Sequence, residues 1–224
     1  MKVNFLCKII FHTSSYKLIV SCQRIVSPNI TLHPVWEGEY GVSPVSLVCN
    51  LKGFFPDDLS VEWKLDNQPL NIAEIQTKLQ SVEGMEKTFS LSSEIEPNRI
   101  NWADGSSFTC KSIHNKQEFI KAISICQIHG SAPPSIHVEI PSFKTVMMTE
   151  SIKSVKATCL VRTVLDAKVT WQMDGRAASG KTVIQDKNTT HIVSDVTVSL
   201  SQWKQLKSVT CKAEHKCFLS TERL

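Results

Sequence analysis

The chain has 224 residues, 42% of them hydrophobic, and a formal net charge of +4. That length holds one or two domains with ordinary apolar cores. The small charge is spread along the sequence with no basic run, which gives no footing for a nucleic-acid backbone, and no apolar stretch reaches the roughly 18 residues that a membrane-spanning helix needs.

Residues 1–27 open with Lys2 and a short apolar patch, Phe5 to Phe11, broken by Lys8. A secretory signal is an unbroken apolar segment of roughly 7–15 residues before a small-residue cut. This stretch therefore reads as a leader-like or artefactual N-terminal extension. From residue 28 the pattern changes to alternation, the signature of strands with one buried face. Ile30, Leu32 and Pro34 mark a first strand, and Glu37 to Ser43 a turn broken by Gly38 and Gly41. Pro44 to Leu51 is a second strand, with Val45, Leu47, Cys49 and Leu51 on one side. Phe54 to Asp58 is a turn-rich connection, and Leu59 to Leu65 a third strand with Trp63 inward. A short fourth strand is expected near Ile72 to Lys78 and a fifth over Lys87 to Ile95. Glu96 to Asp104 crosses back, with Trp102 expected to cover an open end, before strands over Ser106 to Ile113 and Gln117 to Ile125.

Cys49 and Cys110 lie 61 positions apart with Trp63 between them, each Cys on an alternating strand. Two such strands, one from each sheet of a sandwich, can be joined by a disulfide through the core, with an indole packed against it. Closing a loop of that size stabilises a fold by roughly 4 kcal/mol in the chain-entropy description. The pattern then recurs. Cys159, Trp171 and Cys211 repeat it with a Cys spacing of 52, and a further Trp stands eight positions before the closing Cys in both copies, Trp102 and Trp203. Matching internal offsets about 100 residues apart are a repeat. The predicted domains are 28–126 and 135–224, joined by a linker, 127–134, that contains Gly130 and Pro133-Pro134. Strands in the second are expected over Ser135 to Pro141, Val155 to Arg162, Lys168 to Met173, Thr182 to Gln185, His191 to Leu200 and Lys207 to Glu214, with the C-terminal strand cut short at Leu224.

The segment VSLVCNLKGFFPDDLSVEWKLDNQPL, through Cys49, Gly53-Phe54-Phe55-Pro56, Val61, Trp63 and Gln68-Pro69, resembles the constant-type, or C1-set, immunoglobulin domain. Two such domains on a short linker resemble the constant region of an immunoglobulin heavy chain. The phrasing PNITLHPVWEGEYG and WKQLKSVTCKAEH is most similar to bony-fish heavy chains of the IgM or IgZ/IgT type. The resemblance covers about 28–224 and implies an all-β fold of two tandem C1-set β-sandwiches. It departs from the family at the residue two before each closing Cys, where Phe108 and Val209 replace the usual Tyr and its hydroxyl. No variable domain or secretory tailpiece is recognisable, so antigen binding and tail-directed polymerisation are not carried over.

As implied by the resemblance, the protein is a non-catalytic scaffold. It would dimerise with a second heavy chain as a disulfide-linked homodimer and present loops and glycans to an Fc receptor or complement. Cys126, beside the linker, is the leading candidate for the interchain disulfide, with Cys217 and Cys22 as further candidates. Intersheet disulfides persist in oxidising compartments, so the location is secreted or the extracellular face of the plasma membrane. The sequons at Asn29 and Asn188 agree with that as candidate N-glycosylation sites. No cofactor is called for. Cys211, His215, Cys217 and His191 come close to a metal set, but Cys211 is committed to Cys159 and no metal is expected. The seven histidines stand in no catalytic motif and read as solvated loop and strand-face residues. The rival reading is a cell-surface receptor or adhesion protein of the immunoglobulin superfamily, which a membrane helix and signalling tail after Leu224 would mark.

Overall fold

The computed structural model describes residues 3–11, 18–36, 45–142, 144, 146, 153–187 and 190–223. The turn expected over 37–43 and the sequon Asn188 lie outside these residues. The protein divides into two compact units, Met1–Arg99 with Ser107–Ser124, and Ile100–Ser106 with Ile125–Leu224.

In the first unit, β1 (Val3–Phe11) and β2 (Leu18–Val26) form a two-stranded antiparallel sheet. The strands β3 (Asn29–Trp36), β4 (Val45–Phe54), β5 (Leu59–Leu65), β6 (Gln68–Pro69), β7 (Glu74–Glu83), β8 (Glu86–Ile95), β9 (Phe108–His114) and β10 (Gln117–Ile123) follow. They make two four-stranded sheets, in the orders β3-β4-β8-β7 and β10-β9-β5-β6. Period-two alternation places Leu47, Cys49 and Leu51 of β4 and Leu91 and Ile95 of β8 in the core. Trp63, Phe108 and Cys110 face them from the other sheet. Cys49 and Cys110 are bonded at 2.07 Å, and Trp63 stands opposite Cys110 in the β5–β9 register.

The end of the leader-like stretch is built into this unit. Ile25 and Val26 are buried, and Val26 exchanges backbone hydrogen bonds of 2.8 and 3.0 Å with Phe55. The Arg24 guanidinium lies 5.7 Å from the centre of the Phe55 ring and 2.8 Å from Glu86. An apolar pair next to a strand end whose N–H and C=O groups need partners docks there for the same reason that any strand does.

The second unit repeats the plan with β11 (Ser135–Glu139), β12 (Ser154–Arg162), β13 (Lys168–Met173), β14 (Arg176–Ala177), β15 (Lys181–Lys187), β16 (His191–Ser199), β17 (Val209–His215) and β18 (Phe218–Arg223). Its sheets run β11-β12-β16-β15 and β14-β13-β17-β18. Val155, Ala157, Cys159, Val161, Trp171, Ile192, Val196, Val198, Cys211 and Ala213 fill its core, and Cys159 is bonded to Cys211. The last strand, expected to be cut short, pairs with β17 through a register shift between Ala213 and His215.

Short helices depart from the sequence expectation. The helices α1 (Arg99–Ala103) and α3 (Leu200–Gln205) each precede the strand of the closing Cys, and they carry Trp102 and Trp203. Helix α3 is started by Ser199, whose hydroxyl accepts from the Gln202 N–H in a capping box. Helix α2 (Ile125–His129) occupies the end of the expected final strand and the start of the expected linker. Gly130, read as a linker breaker, closes α2: at φ +80° its N–H donates to the Cys126 carbonyl at 2.9 Å. The fourth strand of the first sandwich runs to Glu83, beyond the expected Lys78, because Gly84 at φ +61° turns the backbone into an unbroken pairing with β8.

Candidate cross-link sites and pairing surfaces

Each core holds a side chain that sequence reasoning passed over. The Trp63 indole N–H donates to Ser93 Oγ at 2.9 Å, and the Trp171 indole to Ser194 Oγ at 3.0 Å. Both serines are fully buried on the strand facing the indole. Each stands 17 positions before its closing Cys, an offset that the repeat displayed and that could have singled them out. Ser93 Oγ also donates to Glu74 Oε2 at 2.7 Å, so in the first sandwich the indole is tied through a hydroxyl to β7.

A second repeated device braces the turn after the Trp strand. Asp66 accepts from the Ser107 N–H at 2.8 Å, and Asp174 accepts from the Lys207 and Ser208 N–H groups at 2.9 Å. The Ser208 and Lys207 backbone donors hold the Asp174 carboxyl below its ordinary range. Both aspartates have positive φ, a conformation that a short polar side chain tolerates. Among the histidines, His114 departs from the solvated reading. It is buried, meets Phe54 edge-on at 5.6 Å, and bonds through Nε2 to the Pro56 carbonyl.

The cysteines expected to link two copies are placed differently. Cys126 and Cys217 are bonded to each other, with Cα atoms 5.0 Å apart. The bridge lies inside the second unit and fastens α2 to the turn between β17 and β18. Neither sulfur is left for a second copy. The sequence could not reveal this pairing, because 91 residues separate the partners and only the fold brings them together. Cys22 is disulfide-bonded as well, within this single polypeptide, and stands opposite Cys7 in the β1–β2 register.

The surroundings of the Cys126–Cys217 bridge are closely set. A Cβ on Gly105 would lie 3.1 Å from one sulfur and 3.2 Å from the other, and Gly105 has φ +88°. His215 Nε2 donates to the Ala103 carbonyl at 2.8 Å, while Nδ1 accepts from the Cys217 N–H at 3.0 Å. Lys216 Nζ reaches Ser106 Oγ at 2.8 Å and Asp104 at 3.3 Å. Burial pushes the Asp104 carboxyl up, but the Ser106 hydroxyl and N–H and the Lys216 ammonium outweigh it and hold it below its ordinary range. Cys211 and Cys217 are both spent in disulfides, so the residues that come close to a metal set in sequence offer no thiolate.

Of the sequons, Asn29 is exposed at the first position of edge strand β3. The outward face of β3-β4-β8-β7 carries Ile75, Thr77 and Leu79 of β7 beside Glu94, Ser92 and Ser90 of β8, with Lys52 of β4 next to Ser90. The corresponding face in the second unit is charged. There Asp195, with its side chain 5% exposed, takes a 2.9 Å ion pair from Lys156 and a 2.7 Å bond from Thr158.

The immunoglobulin C1-set domain matches residues 30–117 and 143–218, most of the sequence. The chain belongs to the immunoglobulin C1-set family. This C1-set protein is 25% identical over 226 residues to mouse immunoglobulin heavy constant epsilon, covering 96% of its own length and 52% of that relative. It is 30% identical over 91 residues to the secreted form of the mouse Ig gamma-1 C region, covering 41% of itself and 27% of the relative. A solved IgNAR antibody domain C3 is 24% identical with a TM-score of 0.39, covering 44% of this protein and 95% of that domain. The C1-set protein thus spans between about a quarter and about half the length of these curated relatives. Its relationship is to the constant regions of immunoglobulin heavy chains, which are non-enzymatic. Among the described residues no helix is long and apolar enough to cross a membrane.

Proposed function

We propose that this protein is a constant-region scaffold of an antibody heavy chain, acting outside the cell. It pairs with a second copy of itself and holds recognition loops for an Fc receptor or complement at fixed spacing. The observation that carries the reading is the twice-built core. In each sandwich one disulfide, one indole and one buried serine lock two sheets together, which makes a rigid frame. Its relatives are constant regions of heavy chains, and one of them is a secreted form by name. With Cys126 and Cys217 joined to each other, the pairing is non-covalent and made by sandwich surfaces. A glycan on exposed Asn29 adds to the presented surface.

The test is sedimentation of the full protein secreted from eukaryotic cells, alongside reduced and non-reduced mass analysis. A dimer in solution that runs as a monomer on denaturation without reductant, with a Cys126–Cys217 peptide, supports the proposal. A protein that stays monomeric at tens of micromolar refutes the pairing.

A further inference from the structure

The disulfides of this protein lie at different depths. Cys49, Cys110, Cys159 and Cys211 are each 0% exposed, inside the two cores. An attacking thiolate reaches those sulfurs only when a sandwich opens. Cys126 is half-buried and Cys217 is 6% exposed, and their bond joins a helix to a turn rather than one sheet to another. Cys22, which is exposed, stands in the first unit, away in sequence from these elements.

The two sides of the Cys126–Cys217 bond are held unequally. Helix α2 has five residues, fewer than a helix needs to persist by itself in water, and buries none of them fully. Only its first two residues, Ile125 and Cys126, pack against the second core. The turn on the other side has anchors besides the bond. His215 reaches the Ala103 carbonyl, Lys216 reaches Ser106 and Asp104, and Phe218 is buried. Opening the bond therefore releases α2 and leaves the turn in place. The chain over 125–129 then joins the exposed residues 130–134 as one longer tether between β10 and β11.

We propose that Cys126–Cys217 is an exchange site for a protein dithiol of the C-x-x-C kind, and that its reduction lengthens the tether between β10 and β11. One thiolate of the dithiol attacks Cys126 Sγ, the more exposed sulfur, and Cys217 leaves as a thiolate. The second thiolate of the dithiol then attacks the mixed disulfide and displaces Cys126. The dithiol ends as a disulfide, two electrons pass to this protein, and each released thiolate takes up one of the protons that the dithiol gave up. The reverse exchange closes the bond again. The inference stands whether or not the protein pairs with itself.

The test uses the full protein without denaturant, reduced thioredoxin as the dithiol, and alkylation followed by peptide mapping. Cys126 and Cys217 are expected to be labelled roughly tenfold or more sooner than Cys159 and Cys211. Exchange of the Gly130 amide, whose bond to the Cys126 carbonyl closes α2, should quicken in step, while residues 100–106 keep their protection. Oxidised thioredoxin should restore the slow rate. Cys126→Ser combined with Cys217→Ser should show the quickened Gly130 exchange without reductant and no further change with it. Labelling of Cys126 and Cys217 no sooner than the core cysteines overturns the proposal. Reduction that leaves Gly130 exchange unchanged, or that exposes 100–106 together with 125–129, overturns it as well. If the double variant does not fold, these wild-type outcomes decide alone.

Discussion

Removing one buried hydroxyl tests the reasoning about the cores. Ser93→Ala takes away the acceptor of the Trp63 indole and the donor to Glu74 in one step. The indole lies in a residue 4% exposed and Ser93 is 0% exposed, so water has little access to replace the lost acceptor. A buried donor left without a partner costs about 1–3 kcal/mol. The Glu74 carboxylate is at the exposed edge and recovers water, so its loss adds a smaller amount. The expected destabilisation of the first sandwich is about 2–3 kcal/mol, which for a domain of this size lowers its midpoint by roughly 10–20 °C. Calorimetry of the full protein is the assay, because two separate cores need not melt as one transition. Ser92→Ala, one residue away on the outward face, serves as the control and should shift the same transition by less than about 0.5 kcal/mol. In a Trp63→Phe background the donor is already gone, so Ser93→Ala should cost about 1–2 kcal/mol less than it does alone. Equal costs in the two backgrounds, or a shift no larger than that of Ser92→Ala, would refute the claim that the indole–hydroxyl bond holds the sheets.

Other outcomes follow from the same structure. Gly180→Ala places a Cβ 2.5 Å from the Thr197 carbonyl oxygen and 2.6 Å from Val198, both on β16. Calorimetry should show the second sandwich losing about 2–4 kcal/mol, and an unchanged midpoint would mean that the close approach relaxes freely. Gly105→Ala meets both positive φ and two sulfurs at 3.1 and 3.2 Å, so it should cost the second unit about 1–3 kcal/mol and speed reduction of Cys126–Cys217 by dithiothreitol. The depressed Asp174 carboxyl stabilises the fold at pH above its ordinary value of about 3.9 and loses that contribution as the pH falls through the lower folded value. Asp174→Asn tolerates the positive φ but carries no charge, so its stability difference from wild type should shrink between about pH 5 and 2 in acid-unfolding curves. A difference independent of pH would dismiss the carboxylate as the cause.

The sequence by itself determined the two sandwiches. Cysteine and tryptophan are rare and large in effect, and alternation fixes which face of a strand is buried, so Cys49, Trp63, Cys110 and their repeats were legible from spacing alone. The buried serines obeyed an equally regular offset but were hidden by their ordinariness, since serine is usually a surface residue and only a neighbouring indole gives it a reason to be inside. The short helices carried too few turns for any period to emerge. The outcome at Cys126 needed the tertiary structure. A thiol's partner depends on which distant Cα comes within about 7 Å, and that depends on α2 and the β17–β18 turn meeting inside one unit. The same holds for β7. Its residues read as a weakly patterned strand, and only the sheet order placed it at the edge of β3-β4-β8-β7 with Ile75 and Leu79 exposed. Local rules wrote the strands; which strand ends a sheet, and which two sulfurs meet, was settled by packing.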